Sequence, residues 1–414
     1  MRSMIYYEFQ KIFRRKLNII AMLAGLLLML VCAVNYVRQT SFYDAETNSY
    51  VRGTEAFRRQ EKAKAKMTDV LTEEYLTGVV MDIQEQNMDL ASDVAYLEII
   101  RPQSDLLHML CRNYMDVGEE IEWNQLNEIP TENGIHFYER RLEKVENYLN
   151  RDFSYGNYSE AEKAFWMEKE NEVQTPFLWG DTSVMDCIWS LIEIGFYFMF
   201  VIAVCIAPVF ASEYESGAAA LLLTTKYGKT KLICAKIFTA VLFSLVYVAA
   251  GIGMGVAIVG IMVGFHGAEL PVQLWYTIIP YNWTIGKTLI VSFAMMLLIA
   301  LTITLFTLFL SSRVKGSLGT LVIVFVLLIG PAVLPMSKEC GLWNHINYLF
   351  PVRVMMTEDV ICTLNSYSFG PVVFSYLGMA VLVYLLVSVL SFLGIDRARV
   401  RGTRKRSHAK LLKI

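Results

Sequence analysis

Long runs of apolar residues, almost free of charge, alternate with polar segments along the chain. A helix needs about 20 consecutive apolar residues to cross the hydrocarbon core of a bilayer. Six runs reach that length, so the pattern predicts six transmembrane helices. These predicted spans cover residues 17–37, 184–210, 232–265, 286–312, 316–336 and 370–395.

The longest polar segment, residues 38–183, separates the first two predicted spans. Residues 55–86 and 135–149 place apolar side chains near helical spacing, which predicts a mainly helical soluble domain. An aromatic series runs from Tyr148 to Trp166. It is either a ligand surface, or part of the domain core, or a surface that packs against the membrane interface. The candidate buried stripe of the second helical stretch consists of Phe137, Leu142, Val145 and Leu149.

The N-terminal residues 1–16 combine apolar and basic side chains without a charge-free run. This pattern is typical of an amphipathic helix on a membrane surface, and a cytoplasmic extension of the first span is the alternative. The apolar run that follows exceeds the roughly 7–15 residues of a secretory signal and lacks a cleavage site of small residues. We therefore expect an uncleaved helix. The apolar residues of the N-terminal segment are Ile5, Phe9, Ile12 and Phe13.

Lysine and arginine are concentrated in alternate connections between the predicted spans. Residues 1–16 contain five, residues 211–231 three and residues 396–414 eight, whereas residues 266–285 contain none and residues 337–369 two. Short segments rich in these residues stay in the cytoplasm. Both termini are therefore predicted to be cytoplasmic and the large polar domain to lie outside. The turn between the fourth and fifth spans adds Arg313 and Lys315.

The composition agrees with a membrane protein. Hydrophobic residues make up 55% of the chain and charged residues 18%, against about a quarter charged in soluble domains. The net charge of −2 conceals an acidic outer domain, in which 29 acidic residues face 15 basic ones. The basic tail anchors the topology, since it is short and lacks the aromatic partners of a nucleic-acid surface. No nucleic-acid partner is expected.

Few polar side chains could carry chemistry within the spans. Glu193 has apolar sequence on both sides, so it marks a cavity, an inter-helix hydrogen bond or simple exposure at the outer interface. His108 and Cys111 are spaced as two metal ligands, but no second pair completes a site. We therefore predict no metal and no catalytic residue. Cys340 and Cys362 share one outer loop and could form a disulfide.

Residues 223–230 end in Gly-Lys-Thr and superficially resemble a phosphate-binding loop. Such a loop needs glycine at its first position, because the backbone must wrap around the phosphates. Leu223 occupies that position. The chain itself is therefore expected to bind no nucleotide cofactor.

The 211–231 loop has a distinctive order of residues. Two glutamates precede a glycine, a short alanine and leucine stretch follows, and lysines close the segment. This order predicts a short helix whose dipole matches the charges at both ends. The helix is either a docking element for a partner or only a well-capped turn. Its residues are Glu213, Glu215, Gly217, Leu221, Leu222, Leu223, Thr224, Lys226 and Lys229.

This loop resembles the coupling helix of the permease subunits of ABC-2-type exporters. Those proteins have an amphipathic N-terminal helix and six spans, and their coupling helix lies between spans two and three. The matching positions are Glu213, Gly217, Leu221, Leu222, Leu223, Thr224, Thr225 and Lys226. Lys236 opens the next span as a lysine of the family often does. Tyr227 departs from the proline or serine that is common there, and the outer insert is longer than in the simplest members.

The resemblance implies partners and a mechanism. A separate cytoplasmic ATPase would bind ATP and Mg²⁺ and move the spans through the coupling helix. Two permease chains, identical or paralogous, would form the pathway, and residues 337–369 would include partly re-entrant outer segments. The large insert is similar to that of peptide-, bacteriocin- or ion-related permeases of Gram-positive bacteria. The implied substrate is thus a peptide, bacteriocin, drug or ion, and the implied location is the bacterial plasma membrane.

The expected fold is an all-α membrane protein with both termini inside and a mainly helical outer domain. A membrane receptor or assembly protein with a ligand-binding outer domain is the alternative function. It would explain the insert, but it would not explain six spans together with a docking-type inner loop.

Overall fold

The computed structural model describes residues 1–44, 47, 49–115, 120–314, 316–356 and 360–411, with the backbone alone from residue 396 onward. Lys315 and the side chains of the basic tail lie outside the described residues. Their part in the predicted orientation therefore stays a prediction.

Helices make up most of the described chain. In chain order they are α1 (Arg2–Arg14), α2 (Lys16–Gln39), α3 (Thr54–Ala65), α4 (Glu73–Glu85), α5 (Asp93–Ala95), α6 (Ser104–Tyr114), α7 (Phe137–Asn150), α8 (Glu160–Asn171), α9 (Ser183–Ile194), α10 (Phe196–Ile206), α11 (Pro208–Glu215), α12 (Ala218–Leu222), α13 (Lys231–Val263), α14 (Ile285–Ser311), α15 (Ser317–Val333), α16 (Gly341–Tyr348), α17 (Pro351–Met355) and α18 (Tyr376–Leu411). The strands are β1 (Ser41–Asp44), β2 (Ser49–Arg52), β3 (Val70–Leu71), β4 (Phe177–Leu178), β5 (Ser366–Phe369) and β6 (Val372–Ser375). They form three antiparallel pairs, β1 with β2, β3 with β4 and β5 with β6.

Five helical stretches among the described residues are long and apolar enough to cross a membrane. Each corresponds to one of the predicted spans, because run length alone identifies such helices. The second stretch is built from three consecutive helices, α9, α10 and α11, with bends at Gly195 and Ala207. The five stretches are Lys16–Gln39, Ser183–Glu215, Lys231–Val263, Ile285–Ser311 and Tyr376–Ile395.

The remaining predicted span, residues 316–336, is shorter than expected. Its helix α15 has 17 residues and contains Pro331. At about 1.5 Å per residue it measures about 25 Å, less than the roughly 30 Å of a hydrocarbon core. Proline cannot donate a backbone hydrogen bond, and the helix ends two residues later with Leu334 in an extended conformation. The sixth full-length span is therefore not confirmed.

The predicted start of the last span, at residue 370, is wrong. Strands β5 and β6 form a hairpin around Gly370, whose φ is 64°, and α18 begins only at Tyr376. The apolar residues of β6 continue the apolar run without a break. An apolar strand and a buried helix segment look alike by hydrophobicity alone, which is why the run was assigned wholly to the span.

The outer domain, residues 38–183, is mainly helical, and the helical pattern of residues 55–86 is divided between two helices. Helix α3 ends at Ala65, and α4 begins after Thr72, whose side chain accepts a hydrogen bond from the Tyr75 backbone. Between them, β3 pairs with β4 from the far end of the domain. Tertiary pairing overrides local helical spacing here.

The predicted stripe of α7 is correct at three of its four positions. Phe137, Val145 and Leu149 are buried, whereas Leu142 is 36% exposed. The polar Arg141 is buried in its place. The aromatic series is only partly buried. Trp166 is fully buried and meets the ring of Tyr281 edge-on, with centroids 5.9 Å apart, whereas Tyr155 is 42% exposed.

Candidate functional site

The ammonium group of Lys236 joins three helices at the predicted cytoplasmic end of the bundle. This side chain, near the start of α13, is 1% exposed. Its Nζ lies 2.8 Å from Oε1 of Glu213 in α11 and 2.9 Å from Oε2 of Glu8 in α1. It also donates a hydrogen bond of 3.1 Å to the Val209 carbonyl. The contacts tie α1, α11 and α13 together at one cation.

The charges of this cluster balance. Lys11 places its Nζ 2.6 Å from Oε1 of Glu8 and 3.8 Å from Oε1 of Glu213. Two carboxylates thus face two ammonium groups, and Glu8, Glu213 and Lys236 are all buried. Burying a charge is costly unless it is paired and hydrogen-bonded. Each member therefore depends on the others, and the loss of one leaves an uncompensated charge.

Sequence reasoning missed Glu8. It is the only acidic residue among the first 43, and it lies one helical turn before the buried Ile12 on the packed face of α1. A lone carboxylate on the apolar face of a basic helix is the signal that could have found it. Its partner could not have been read from local pattern, because Lys236 is 228 positions away.

The structure gives the predicted acidic residues of the 211–231 loop roles other than capping α12. Glu213 and Glu215 lie in the last turn of α11, and the first turn of α12 contains no acidic residue. Glu213 binds Lys236, as described. Oε1 of Glu215 instead accepts a 2.6 Å hydrogen bond from the backbone N–H of Ser317. Both carboxylates therefore belong to α11 and contact other helices, and Glu215 caps α15. The proposed match to the α12 dipole stays a prediction.

A hydroxyl group connects the same region to α14. At the bend before Pro208, Ser311 Oγ donates to the Ala207 carbonyl at 2.6 Å and accepts from the backbone N–H groups of Phe210 and Ala211. Proline removes backbone donors from a helix, and the freed groups need new partners in a membrane. Ser311 supplies them, so α11 is held against α14 as well as α13.

Helix α12 presents an apolar tip. Leu221 is 74% exposed, whereas Ala219 is buried. Gly217, just before the helix, has φ 74°, and open space surrounds the position where a Cβ would lie. It is needed for its left-handed backbone and not for close packing. Gly228 is instead needed for close packing, because a Cβ there would overlap the Leu222 carbonyl oxygen.

The turn after the helix is held by its own hydroxyl groups. Thr224 and Thr225 donate to the carbonyls of Leu221 and Leu222, each at 2.7 Å. Leu222 and Leu223 are partly exposed, and Lys226 is exposed beside the ring of Tyr227. Of the predicted docking residues, Leu221, Leu222, Leu223 and Lys226 therefore reach the surface, whereas Glu213 is buried. Their role in docking stays a prediction.

Glu193 lies far from this cluster, near the outer end of the second span. It is half-buried and lines a cleft of about 750 Å³ between α6, α9 and the 264–284 connection. Trp189 and Trp275 form part of the same wall, with ring centroids 4.0 Å apart. Its position in this cleft fits the cavity interpretation, and the choice among the three interpretations stays a prediction.

Two further predicted features can be compared with the structure. Cys340 and Cys362 are not joined by a disulfide in the described part of the chain. His108 packs edge-on against Trp123, with centroids 4.8 Å apart, and Cys111 is buried. These two side chains do not meet any third ligand in a cluster of metal-binding groups among the residues described.

The outer domain is attached to the connections predicted to lie outside. Arg141 pairs with Glu170 and donates to the backbone carbonyls of Thr277 and Ile279 in the 264–284 connection. Ser154 donates to the Lys338 carbonyl at 2.6 Å. Segments predicted inside meet one another, and segments predicted outside do likewise, so the connections are grouped at the two ends as predicted. Which end is cytoplasmic stays a prediction.

A second contact between the outer domain and this connection is ionic. His266 Nε2 lies 2.9 Å from Oδ2 of Asp181, and Lys64 Nζ lies 3.5 Å from Oδ1. The hydrogen bond to Asp181 raises the pKa of His266. Burial alone would raise the pKa of Asp181, but the hydrogen bond with His266, the charge of Lys64 and hydrogen bonds from Ser183 lower it overall.

The family of the chain follows from comparison with known proteins. No curated protein and no solved structure matches the chain. The family model described as an ABC-2 family transporter protein matches residues 4–397, which include the whole Lys236 cluster, the 211–231 loop and all five long apolar stretches. The chain therefore belongs to the ABC-2 family of transporter proteins and is a membrane permease component of an ABC transporter.

Proposed function

We propose that this chain is the permease subunit of an ATP-driven exporter and that α12 couples it to a separate cytoplasmic ATPase. The family match supports the permease role. The observation that carries the coupling role is the Lys236 cluster, which joins the helix next to α12 to two other helices. ATP and Mg²⁺ are bound by the partner ATPase, and a second copy or a paralogue of the permease completes the pathway.

The exposed tip of α12 is the surface that the ATPase contacts. Leu221 is 74% exposed and lies beside the partly exposed Leu222 and Leu223, and adjacent exposed apolar side chains favour a partner surface. A displacement of α12 is transmitted through Gly217 to α11, and the two carboxylates of α11 connect it to three other helices. Glu213 pairs with Lys236 of α13, which also pairs with Glu8 of α1. Glu215 accepts a hydrogen bond from Ser317 at the start of α15. One docked helix can thereby move several spans together.

Leu221→Arg tests the docking surface without disturbing packing, because the side chain is 74% exposed. We expect the ATPase to be lost on co-purification and transport to cease, while the permease reaches normal abundance in the membrane. Val94→Arg is the matched control. It introduces the same charge at a 54% exposed position of the outer domain and should leave both properties unchanged.

Two outcomes are informative against the proposal. If Leu221→Arg retains full ATPase binding and transport, the loop is only a capped turn. If Val94→Arg fails to the same extent, the loss is not specific to α12. Either result removes the coupling assignment.

A further inference from the structure

We propose that the cavity between α1, α11 and α13 binds an anionic phospholipid from the adjacent leaflet. This elbow cavity has a volume of about 600 Å³. It opens where α1 meets α2, at the membrane end that carries the Lys236 cluster. The inference rests on the membrane location of the chain and is independent of ATPase coupling.

The charge of the elbow cavity selects an anion. Four cationic and two anionic side chains line it, a surplus of two positive charges. Lys11 and Lys236 are satisfied by the two glutamates of the cluster. Arg14 and Arg15 make no ion pair within the described part of the chain. Basic pockets beside membrane helices are typical sites for anionic lipid headgroups.

The bend that opens the cavity is built into the chain. Arg15 has φ −75° and ψ 120°, which interrupts the helix between α1 and α2. The side chain of Asn18 donates a 3.0 Å hydrogen bond to the Ile12 carbonyl and is buried. This bond holds the bend, so the two arginines stay at the mouth of the cavity.

The inner walls suit the glycerol and acyl part of a lipid. Ile12 and Cys205 contribute buried apolar surface. Thr239 is 1% exposed and lines the cavity, yet its hydroxyl has no hydrogen-bond partner among the described residues. Buried hydroxyl groups normally have a partner. An ester carbonyl of a bound lipid would accept this hydrogen bond, while the phosphate would lie between Arg14 and Arg15.

The test uses the full-length chain, purified and depleted of lipid in neutral detergent. Binding of short-chain phosphatidylglycerol and of phosphatidylcholine with the same acyl chains is measured by native mass spectrometry. We expect a distinct preference for phosphatidylglycerol. The double variant Arg14→Gln and Arg15→Gln should weaken that binding about 30-fold, given the usual contribution of a basic residue near an anionic headgroup.

The matched control is the double variant Arg2→Gln and Lys16→Gln. It also removes two positive charges from the ends of α1 and α2, but at residues that do not line the cavity. This variant should keep the preference for phosphatidylglycerol. Equal affinity for the two lipids, or equal weakening by both double variants, would overturn the proposal. The last measurement is competition between inorganic phosphate and the bound lipid. If millimolar phosphate displaces the lipid completely, the cavity is a simple anion site and the lipid assignment is wrong.

Discussion

Lys236 is the buried cation that holds α1, α11 and α13 together, so its replacement should destabilise the protein. Removing one partner of a buried ion pair typically costs about 3–5 kcal/mol, because the other charge stays buried. Lys236→Met should therefore lower the free energy of unfolding by that order. The measurement is unfolding of the purified chain in mixed micelles. Lys229→Met, at an exposed position of the neighbouring loop, should change it little.

The same cluster offers a compensation experiment. Glu8→Gln combined with Lys236→Met removes one carboxylate with the cation, which leaves Lys11 to neutralise Glu213. Replacing both members of a buried pair is often close to neutral. The double variant should thus be more stable than Lys236→Met alone. Simple additivity of the two losses would show that the side chains do not interact.

The sequence indicates individual residues of this cluster better than it indicates which of them pair. Lys236 and Glu213 stood out by position, and Glu8 could have been noticed as a lone carboxylate on a basic helix. Their meeting depends on how α1 folds back on α13, which no local pattern contains. The role of Glu215 was misjudged for the same reason, since its partner Ser317 lies 102 positions away.

Among the elements, the 211–231 loop contains two glycines with different requirements. Gly228→Ala should disorder the loop, because the added methyl group would overlap the Leu222 carbonyl oxygen. Gly217→Ala should cost only about 1–2 kcal/mol, the strain of a left-handed backbone. Limited proteolysis of the loop measures the difference. Gly253→Ala, a position in α13 with open space around it, should leave the proteolysis pattern unchanged.

The contact between the outer domain and the 264–284 connection should depend on pH. The raised pKa of His266 means that its contribution is present at low pH and is lost as the pH rises through that value. The lowered pKa of Asp181 means that its contribution is lost only as the pH falls through that value. The contact is therefore strongest between the two pKa values.

His266→Gln tests this window. A hydrogen bond between charged groups contributes about 1.5–3 kcal/mol, and we expect the lower end because the His266 side chain is 21% exposed. The stability difference from the natural chain should be largest in mildly acidic solution and should shrink in alkaline solution. His136→Asn, which alters a histidine side chain that is 59% exposed, should show no such trend. A pH-independent difference would contradict the ionic account.

Element boundaries were predicted less well than the elements themselves. Val372, Val373 and Phe374 are apolar like the helix that follows, so hydrophobicity could not separate β6 from α18. The break between α3 and α4 depends on a strand partner more than 100 residues later. The bends in the second span were not predicted, although Gly195 and Pro208 mark them.

For the whole molecule, Arg141 is a polar attachment between the outer domain and the 264–284 connection. It offers donors to two carboxylate oxygens of Glu170 and to two backbone carbonyls at once. Only a guanidinium group has that many donors in a fixed fork. Arg141→Lys should therefore lower the free energy of unfolding by a few kcal/mol, even though the charge is kept.

Arg140→Lys is the control for this prediction, since the neighbouring side chain is 54% exposed and pairs with Glu143 on the surface. Thermal unfolding of both variants at equal lipid content makes the comparison. Equal melting temperatures would show that the outer domain does not depend on the fork of hydrogen bonds.

The large-scale organisation was largely predictable because it depends on length and charge alone. Five spans follow from uninterrupted apolar runs, and the large domain follows from the long polar segment between the first two. The side of the membrane on which that domain lies stays a prediction. The docking of that domain was not predictable. Arg141 appears in the sequence as one polar residue of an amphipathic helix, and its backbone acceptors at Thr277 and Ile279 have no side-chain signature.

The separation of Glu8 and Lys236 along the chain also has a consequence for biosynthesis. Glu8 leaves the ribosome 228 residues before its buried cation. Until α13 has been synthesised and inserted, the two carboxylates of the cluster lack their buried cation, and α1 lacks its contacts with α13. Docking of α1 thus reports that the first three spans are in place. A nascent chain interrupted before Lys236 would keep a loose basic helix at the membrane surface, where quality-control proteases can reach it.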